Sequence, residues 1–181
     1  MIITSKVSIR IAFVVLLALL LQNAFFSLTE VLGVSFWILP AVVAIFGLLG
    51  GSMIGATLGF AIGFFADGLT DGPLGTSCLV FMGVGYATGL YRERGDQPPV
   101  LAAATISAAA TFIASVILAL ITLLLGFEAS LSAVVIADLL LQTVYAFLLA
   151  APLFILIRRI LKPALVDERT SRHRRPTVSG S

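Results

Sequence analysis

The chain has 181 residues, of which 60% are hydrophobic and 11% are charged, and its mean hydropathy is +1.14. A soluble domain of this size cannot bury so much apolar surface, so the composition excludes an ordinary soluble globular protein and indicates a membrane protein. The single cysteine, Cys78, excludes a disulfide framework or a thiolate metal site within the chain. The single histidine, His173, lies near the end, so histidine-dependent catalysis inside the membrane is not supported.

Apolar stretches of spanning length follow one another along the chain. A membrane span needs roughly 20 apolar residues, and four stretches meet that length: 9–26, 74–91, 100–125 and 133–157. A fifth block, residues 36–66, is too long for one span and short for two. Because Gly50, Gly51 and Ser52 stand at its middle, the block can divide there.

The basic residues decide how the block divides. All eleven lie in three groups: Lys6 with Arg10, Arg92 with Arg94, and seven residues in the range 158–175. Basic loops stay in the cytoplasm, and only an even number of crossings puts all three groups there. We therefore predict an all-α membrane protein with both termini inside. The predicted transmembrane domain covers residues 1–163, with segments at about 9–26, 36–50, 52–66, 74–91, 100–125 and 133–157.

Two points remain open after this division. A re-entrant hairpin at 37–66 gives the same charge parity as two full spans, because each half of the block is only about 22 Å long as a helix. Residues 164–181 form a basic tail that we expect to be disordered and to contact anionic lipid. Nucleic acid is not an expected partner of so short a basic run.

Glycines recur every fourth residue from Gly47 to Gly63. Residues four apart share a helix face, and small residues allow close helix approach in membranes. Since the predicted division separates Gly47 from the rest, the expected packing positions are Gly51, Gly55, Gly59 and Gly63, with Gly51 near the turn. Gly83, Gly85 and Gly89 continue the pattern, so the third and fourth segments are expected to be neighbours.

Polar residues gather at the predicted outer ends of the segments. Asp67 ends an apolar run and Asp71 follows in the turn sequence DGLTDGPLG. Asp71 is interpreted as a turn or capping residue, and Asp67 is either solvated at the interface or bonded to another segment. Gln22 and Asn23 lie at the same predicted depth and can donate hydrogen bonds to these acids.

The last segment carries Asp138, Gln142 and Tyr145 on one helical face. An acid within a span is a candidate functional site, although one near the end of a span is reached by water. A structural hydrogen-bond network and a ligand, proton or partner site both remain open. The candidate outer polar cluster or partner site is Gln22, Asn23, Asp67, Asp71, Asp138 and Gln142.

Catalytic chemistry has little support in the sequence. An intramembrane aspartyl protease would use Asp67 and Asp138, but its Gly-x-Gly-Asp type of motif is missing around Asp67. No metal-binding helix and no serine-histidine pair can be assembled. We predict a protein that is not an enzyme and that needs no cofactor or metal.

Three pieces of the sequence, taken in order, resemble the rod shape-determining protein MreD family. They are LLQNAFFS in the first segment, GFAIGFFADGLTDGPLGTSCLVFMGVGYATGLY across the third and fourth, and LLQTVYAFLLAAPLFILIRRI in the last. Together they cover some 60 residues. Gly-Phe-x-x-Gly-x-x-x-Asp followed by Pro-Leu-Gly is the most specific element. The chain departs from the family at Pro40, which lies deeper than usual and lacks a following acid.

The resemblance implies a non-enzymatic scaffold of the bacterial cell-elongation machinery in the inner membrane. The partner it implies is MreC, which links MreB filaments to the glycosyltransferase and transpeptidase that build peptidoglycan. The fold it implies is similar to the substrate-binding S-component of energy-coupling-factor transporters. The alternative is therefore a small-molecule-binding subunit of such a transporter, with Asp67, Asp138 and Gln142 in an outward-facing pocket.

Overall fold

Helices account for all of the regular structure in the described part of the chain. The computed structural model describes residues 13–20, 22, 38–69, 74–95, 98–125 and 141–159. Six helices and no strand occur among them: α1 (13–20), α2 (Leu39–Gly50), α3 (Ser52–Leu69), α4 (Thr76–Glu93), α5 (Val100–Leu124) and α6 (Leu141–Arg159). The predicted all-α class is confirmed for these residues, whereas the number and direction of membrane crossings stay predictions.

The long apolar block contains two helices that meet at Gly51. This residue has φ +92°, a left-handed conformation that glycine adopts without steric cost, and its N–H donates to the Gly47 carbonyl. Pro40 lies in the first turn of α2, where a helix tolerates the missing N–H. The chain therefore reverses at the same glycine pair at which charge parity divides the block.

Helix α2 forms the centre of the described structure. Every residue from Leu39 to Leu49 is buried, and the helix packs against α3, α4 and α5. A helix that is apolar on all sides is expected in such an interior position. Its twelve residues span about 18 Å, which is shorter than the roughly 30 Å hydrocarbon core of a bilayer. Protein, and not solvent or lipid, therefore surrounds this helix.

The outward faces of the helices are also apolar. Large hydrophobic side chains with more than half of their surface exposed occur on α3, α4, α5 and α6, among them Met53, Phe64, Leu79, Leu101, Leu120 and Leu148. By length and composition, α5 and α6 are each able to cross a membrane. A surface of this kind is poorly matched to water and well matched to lipid.

Candidate functional site

Helices α3 and α4 pack along their whole length through glycine. An added Cβ atom at Gly55, Gly59 or Gly63 would come closer than 3.0 Å to backbone atoms of α4. Each step of four residues along α3 moves the contact four residues back along α4, from Gly85 through Phe81 to Ser77. The two backbones are therefore in contact at every turn, which only glycine permits on the α3 side.

Glycines of α2 and α4 complete this contact. Gly47 of α2 lies against Gly85, Thr88 and Gly89 of α4, so it faces the same helix as Gly55 although it belongs to a different one. An added Cβ at Gly89 would meet the backbone at Gly51 and Ser52. Helices α2 and α3 therefore both contact the C-terminal half of α4. The expectation that the third and fourth segments are neighbours is confirmed.

Asp67 joins the end of α3 to the start of α4. Its carboxylate, which is 4% exposed, accepts hydrogen bonds from the backbone N–H groups of Gly75 (2.7 Å), Ser77 (3.1 Å) and Cys78 (3.4 Å). The Cys78 thiol is a further, weak donor at 3.5 Å. Of the two possibilities left open for Asp67, the structure has the bond to another segment.

The local sequence explains why Asp67 takes this role. Helix α4 is preceded by Gly75, which has φ +96° and no side chain to cap the helix. The first N–H groups of a helix lack partners within it and carry partial positive charge. A carboxylate from the neighbouring helix satisfies both the hydrogen-bonding and the charge requirement. Asp67 thus performs the function of an N-cap from outside α4.

Glu93 makes the corresponding contact at the opposite end of the pair. Its Oε1 accepts hydrogen bonds from the Ser52 N–H (2.8 Å) and the Ser52 hydroxyl (2.6 Å). Ser52 is the first residue of α3 and follows Gly51, which again has no side chain. Each helix of the pair therefore ends in an acid that caps the start of the other.

Glu93 lies beyond the apolar segment, which ends at Tyr91. The hydrogen bond from the Ser52 hydroxyl lowers the pKa of the Glu93 carboxyl group, and the bond from the Ser52 N–H acts in the same direction. Desolvation opposes them, and the nearby Arg92 charge lowers the pKa further. The ionised form is therefore the one that fits this position.

Two members of the predicted polar cluster make other interhelical contacts. Gln142 of α6 is buried, and its Oε1 accepts a hydrogen bond of 3.0 Å from the Ser115 hydroxyl of α5. Gln22, also buried, accepts a bond of 2.9 Å at Oε1 from the N–H of Ile38, just before α2. Both side chains thus fix one element against another.

The remaining cluster members, Asn23, Asp71 and Asp138, lie outside the described residues. Asp67 bonds to α4, and Gln142 bonds to α5. These two contacts involve different pairs of helices. A single cluster of all six residues stays a prediction.

Sequence reasoning missed Ser52, Glu93 and Ser115. Glu93 stands between two arginines in a predicted cytoplasmic loop, where an acid is unremarkable. A signal was present, since the spacing Gly-x-x-x-Gly-x-x-x-acid that leads to Asp67 occurs again and leads to Glu93. Ser115 carries no such signal, because hydroxyl residues are frequent throughout α5.

The polar contacts of the described residues join helix ends to one another. Within the described ranges, no group of three or more His, Cys, Asp and Glu side chains comes together in a way that could hold a metal. The Cys78 thiol is free and buried beside Asp67. The polar groups that meet at the ends of α3 and α4 hold the two helices together.

Comparisons of the chain with protein families, with curated proteins and with solved structures find no match.

Proposed function

We propose that the chain is a multi-pass protein of the bacterial cytoplasmic membrane with six transmembrane segments and both termini in the cytoplasm. Two helices of spanning length and the apolar outward faces support a lipid environment. The distribution of the basic residues supports the direction of insertion. The short helix α2 reaches the interior as one half of a helical hairpin with α3.

Within this membrane, the proposed role is that of a non-enzymatic scaffold of the cell-elongation machinery that binds MreC. The three sequence pieces that resemble the MreD family support it, and the most specific of them contains Gly59, Gly63 and Asp67. Through MreC, the scaffold would act on MreB filaments and on the enzymes that build peptidoglycan. Neither a cofactor nor a metal is part of this proposal.

The observation that supports the proposal most is that the Asp67 carboxylate binds the start of α4. Its oxygens accept bonds from the first turn of α4, and the side chain is almost fully buried. An acid that served a ligand pocket or a protease would need at least one oxygen directed to an open cavity. The acid of the family-like piece instead rigidifies a helix pair, as a scaffold requires.

Affinity purification of the tagged full-length chain from native membranes, followed by mass spectrometry, tests the proposal. We expect recovery of MreC with the tagged chain and not with a six-span membrane protein of unrelated function that carries the same tag. A pair of energising ATPases recovered without MreC would overturn the scaffold role and favour the transporter subunit.

A further inference from the structure

The sequences of α3 and α4 repeat one pattern at an offset of 26 residues. Residues 59–67 read GFAIGFFAD, and residues 85–93 read GYATGLYRE. Both pieces have glycine at the first and fifth positions, alanine at the third, an aromatic residue at the second and seventh, and an acid at the ninth. Agreement at six of nine positions in chemical type goes beyond a shared small-residue spacing.

The hydrogen bonds at the helix ends obey the same offset. The N–H of Cys78 donates to the carboxylate of Asp67. Subtracting 26 from Cys78 gives Ser52, and adding 26 to Asp67 gives Glu93. The N–H of Ser52 donates to the carboxylate of Glu93 in the same way. The thiol of Cys78 approaches Asp67 as the hydroxyl of Ser52 approaches Glu93. A small side chain with a donor therefore occupies the same place at both ends.

The glycine contacts between the helices exchange in the same way. Gly59 of α3 faces the backbone of Phe81 in α4. Applying the offset to both residues gives Gly85 and Gly55, which also face each other at backbone distance. The contact surface is thus related to itself by the exchange of the two helices.

The exposed side chains repeat as well. Phe60 is 50% exposed and its equivalent Tyr86 is 49% exposed, while Phe65 and its equivalent Tyr91 are 55% and 51% exposed. The repeat therefore extends to these two outward-facing aromatic positions. The acids differ in exposure, since Asp67 is buried and Glu93 is exposed.

Antiparallel helices with exchanging contacts are related by a two-fold axis perpendicular to both. In a membrane, an axis of this kind lies in the bilayer plane, the arrangement found between inverted repeats of transporters. Here the repeating unit is a single helix. The capped start of α3 and the capped start of α4 then lie at opposite faces of the membrane.

We propose that α3 and α4 form an inverted repeat closed by two corresponding latches that open independently. The outer latch is Asp67 with the N–H groups of Gly75, Ser77 and Cys78. The inner latch is Glu93 with Ser52. About 22 Å of helix separates Ser52 from Asp67, and sites so far apart without shared partners act additively.

In this arrangement, one carboxylate at each membrane face holds the ends of the two helices together. Loss of one carboxylate frees the start of the opposite helix, while the glycine contacts and the other latch keep the pair together. The inference does not depend on MreC or on any other partner.

The only cysteine of the chain, Cys78, reports on the outer latch because it is buried within it. In the full-length protein in lipid nanodiscs, we expect Asp67→Asn to raise the rate of Cys78 labelling by a water-soluble maleimide by about tenfold when the rates are compared at equal thiolate fraction, since a buried hydrogen bond to a charged acceptor is lost. Glu93→Gln should leave the rate within about twofold, because additive sites do not affect each other.

The repeat supplies the matching probe for the inner latch. Ser52→Cys combined with Cys78→Ser moves the thiol to the equivalent position at the other end, and we expect this double variant to fold like the parent. In that background, Glu93→Gln should raise labelling and Asp67→Asn should not, and the increase should be smaller than at the outer latch because Glu93 is exposed. Each acid thus serves as the matched control for the other.

Two results would overturn the proposal. If either acid substitution raised labelling equally at both ends, the pair would open as one unit. If neither raised it, the carboxylates would not hold the ends closed. Should Asp67→Asn prevent folding, the arm with Glu93→Gln in the double variant decides alone, because Glu93 lies at the surface.

Discussion

At the scale of single residues, the most instructive side chains are Asp67 and Glu93. Both stand at the C-terminal end of their own helix, where the helix dipole disfavours negative charge. Each carboxylate lies beside the N-terminal end of the neighbouring helix, where the dipole favours it. Their positions are therefore understandable only from the antiparallel pair and not from either helix alone.

The Glu93 contact predicts a specific dependence of stability on pH. Because its pKa is lowered in the folded protein, Glu93 stabilises the fold above its ordinary value of 4.5, and this contribution is lost as the pH falls through the folded pKa. Thermal unfolding followed by circular dichroism in detergent should show a lower midpoint for Glu93→Gln than for the parent at neutral pH. The difference should shrink below pH 4.5.

Arg94→Gln provides the comparison for this experiment, since it changes one charge nearby without touching Ser52. It should not reproduce the pH-dependent difference. A constant gap between the parent and Glu93→Gln from neutral to acid pH would mean that the ionised carboxylate is not what stabilises α3.

At the scale of elements, the seam between α3 and α4 depends on the absence of side chains. The glycine spacing alone indicates a stripe that faces another helix, and the position of the loop indicates which helix. The spacing does not indicate that Gly47 of α2 reaches the same stretch of α4. That contact depends on how the hairpin folds back, which the local sequence does not encode.

Gly59→Ala tests this seam with the smallest possible change. An added methyl group would overlap the Phe81 carbonyl, so the helices must separate, and we expect a loss of about 1–3 kcal/mol. The measurement is the thermal midpoint of the purified protein in detergent.

Gly83→Ala is the matched control on the partner helix. No atom lies within 4 Å of the position that its Cβ would take, so helix propensity alone makes the change neutral or stabilising by up to about 1 kcal/mol. Equal destabilisation by the two substitutions would contradict the assignment of Gly59 to a backbone contact.

At the scale of the whole molecule, charge and hydropathy predict the number of membrane crossings better than local motifs do. The three basic groups predict an even number of crossings without any knowledge of contacts. The structure adds that α2 is short and wholly enclosed, which composition cannot reveal because a buried helix and a lipid-facing helix are equally apolar.

Reporter fusions test the proposed topology. A reporter fused after Arg94 should give the signal of a cytoplasmic site, because the basic groups hold their loops inside. A reporter fused within residues 68–73 should give the signal of an external site. Alkaline phosphatase and green fluorescent protein give opposite readouts of each site. Reversal at either site would exclude the six-segment arrangement.

The candidate site was predictable to the extent that its residues are unusual in their local context. Asp67 is conspicuous at the end of an apolar run, whereas Glu93 is one of several charges in its loop. Gln142 was identified from its helical face, but its partner Ser115 was not, because the pairing depends on the rotation of α5 against α6. Rotations of this kind are set by packing and not by periodicity.

The two latches also differ in when they can form during synthesis. Asp67 binds N–H groups that follow it by 11 residues or fewer, so the outer latch can close as soon as the first turn of α4 exists. Ser52 must wait for Glu93, 41 residues later. The pair of α3 and α4 is therefore expected to assemble from the end that holds Asp67 toward the end that holds Glu93. A ribosome stalled within α4 would leave the start of α3 without the carboxylate of Glu93.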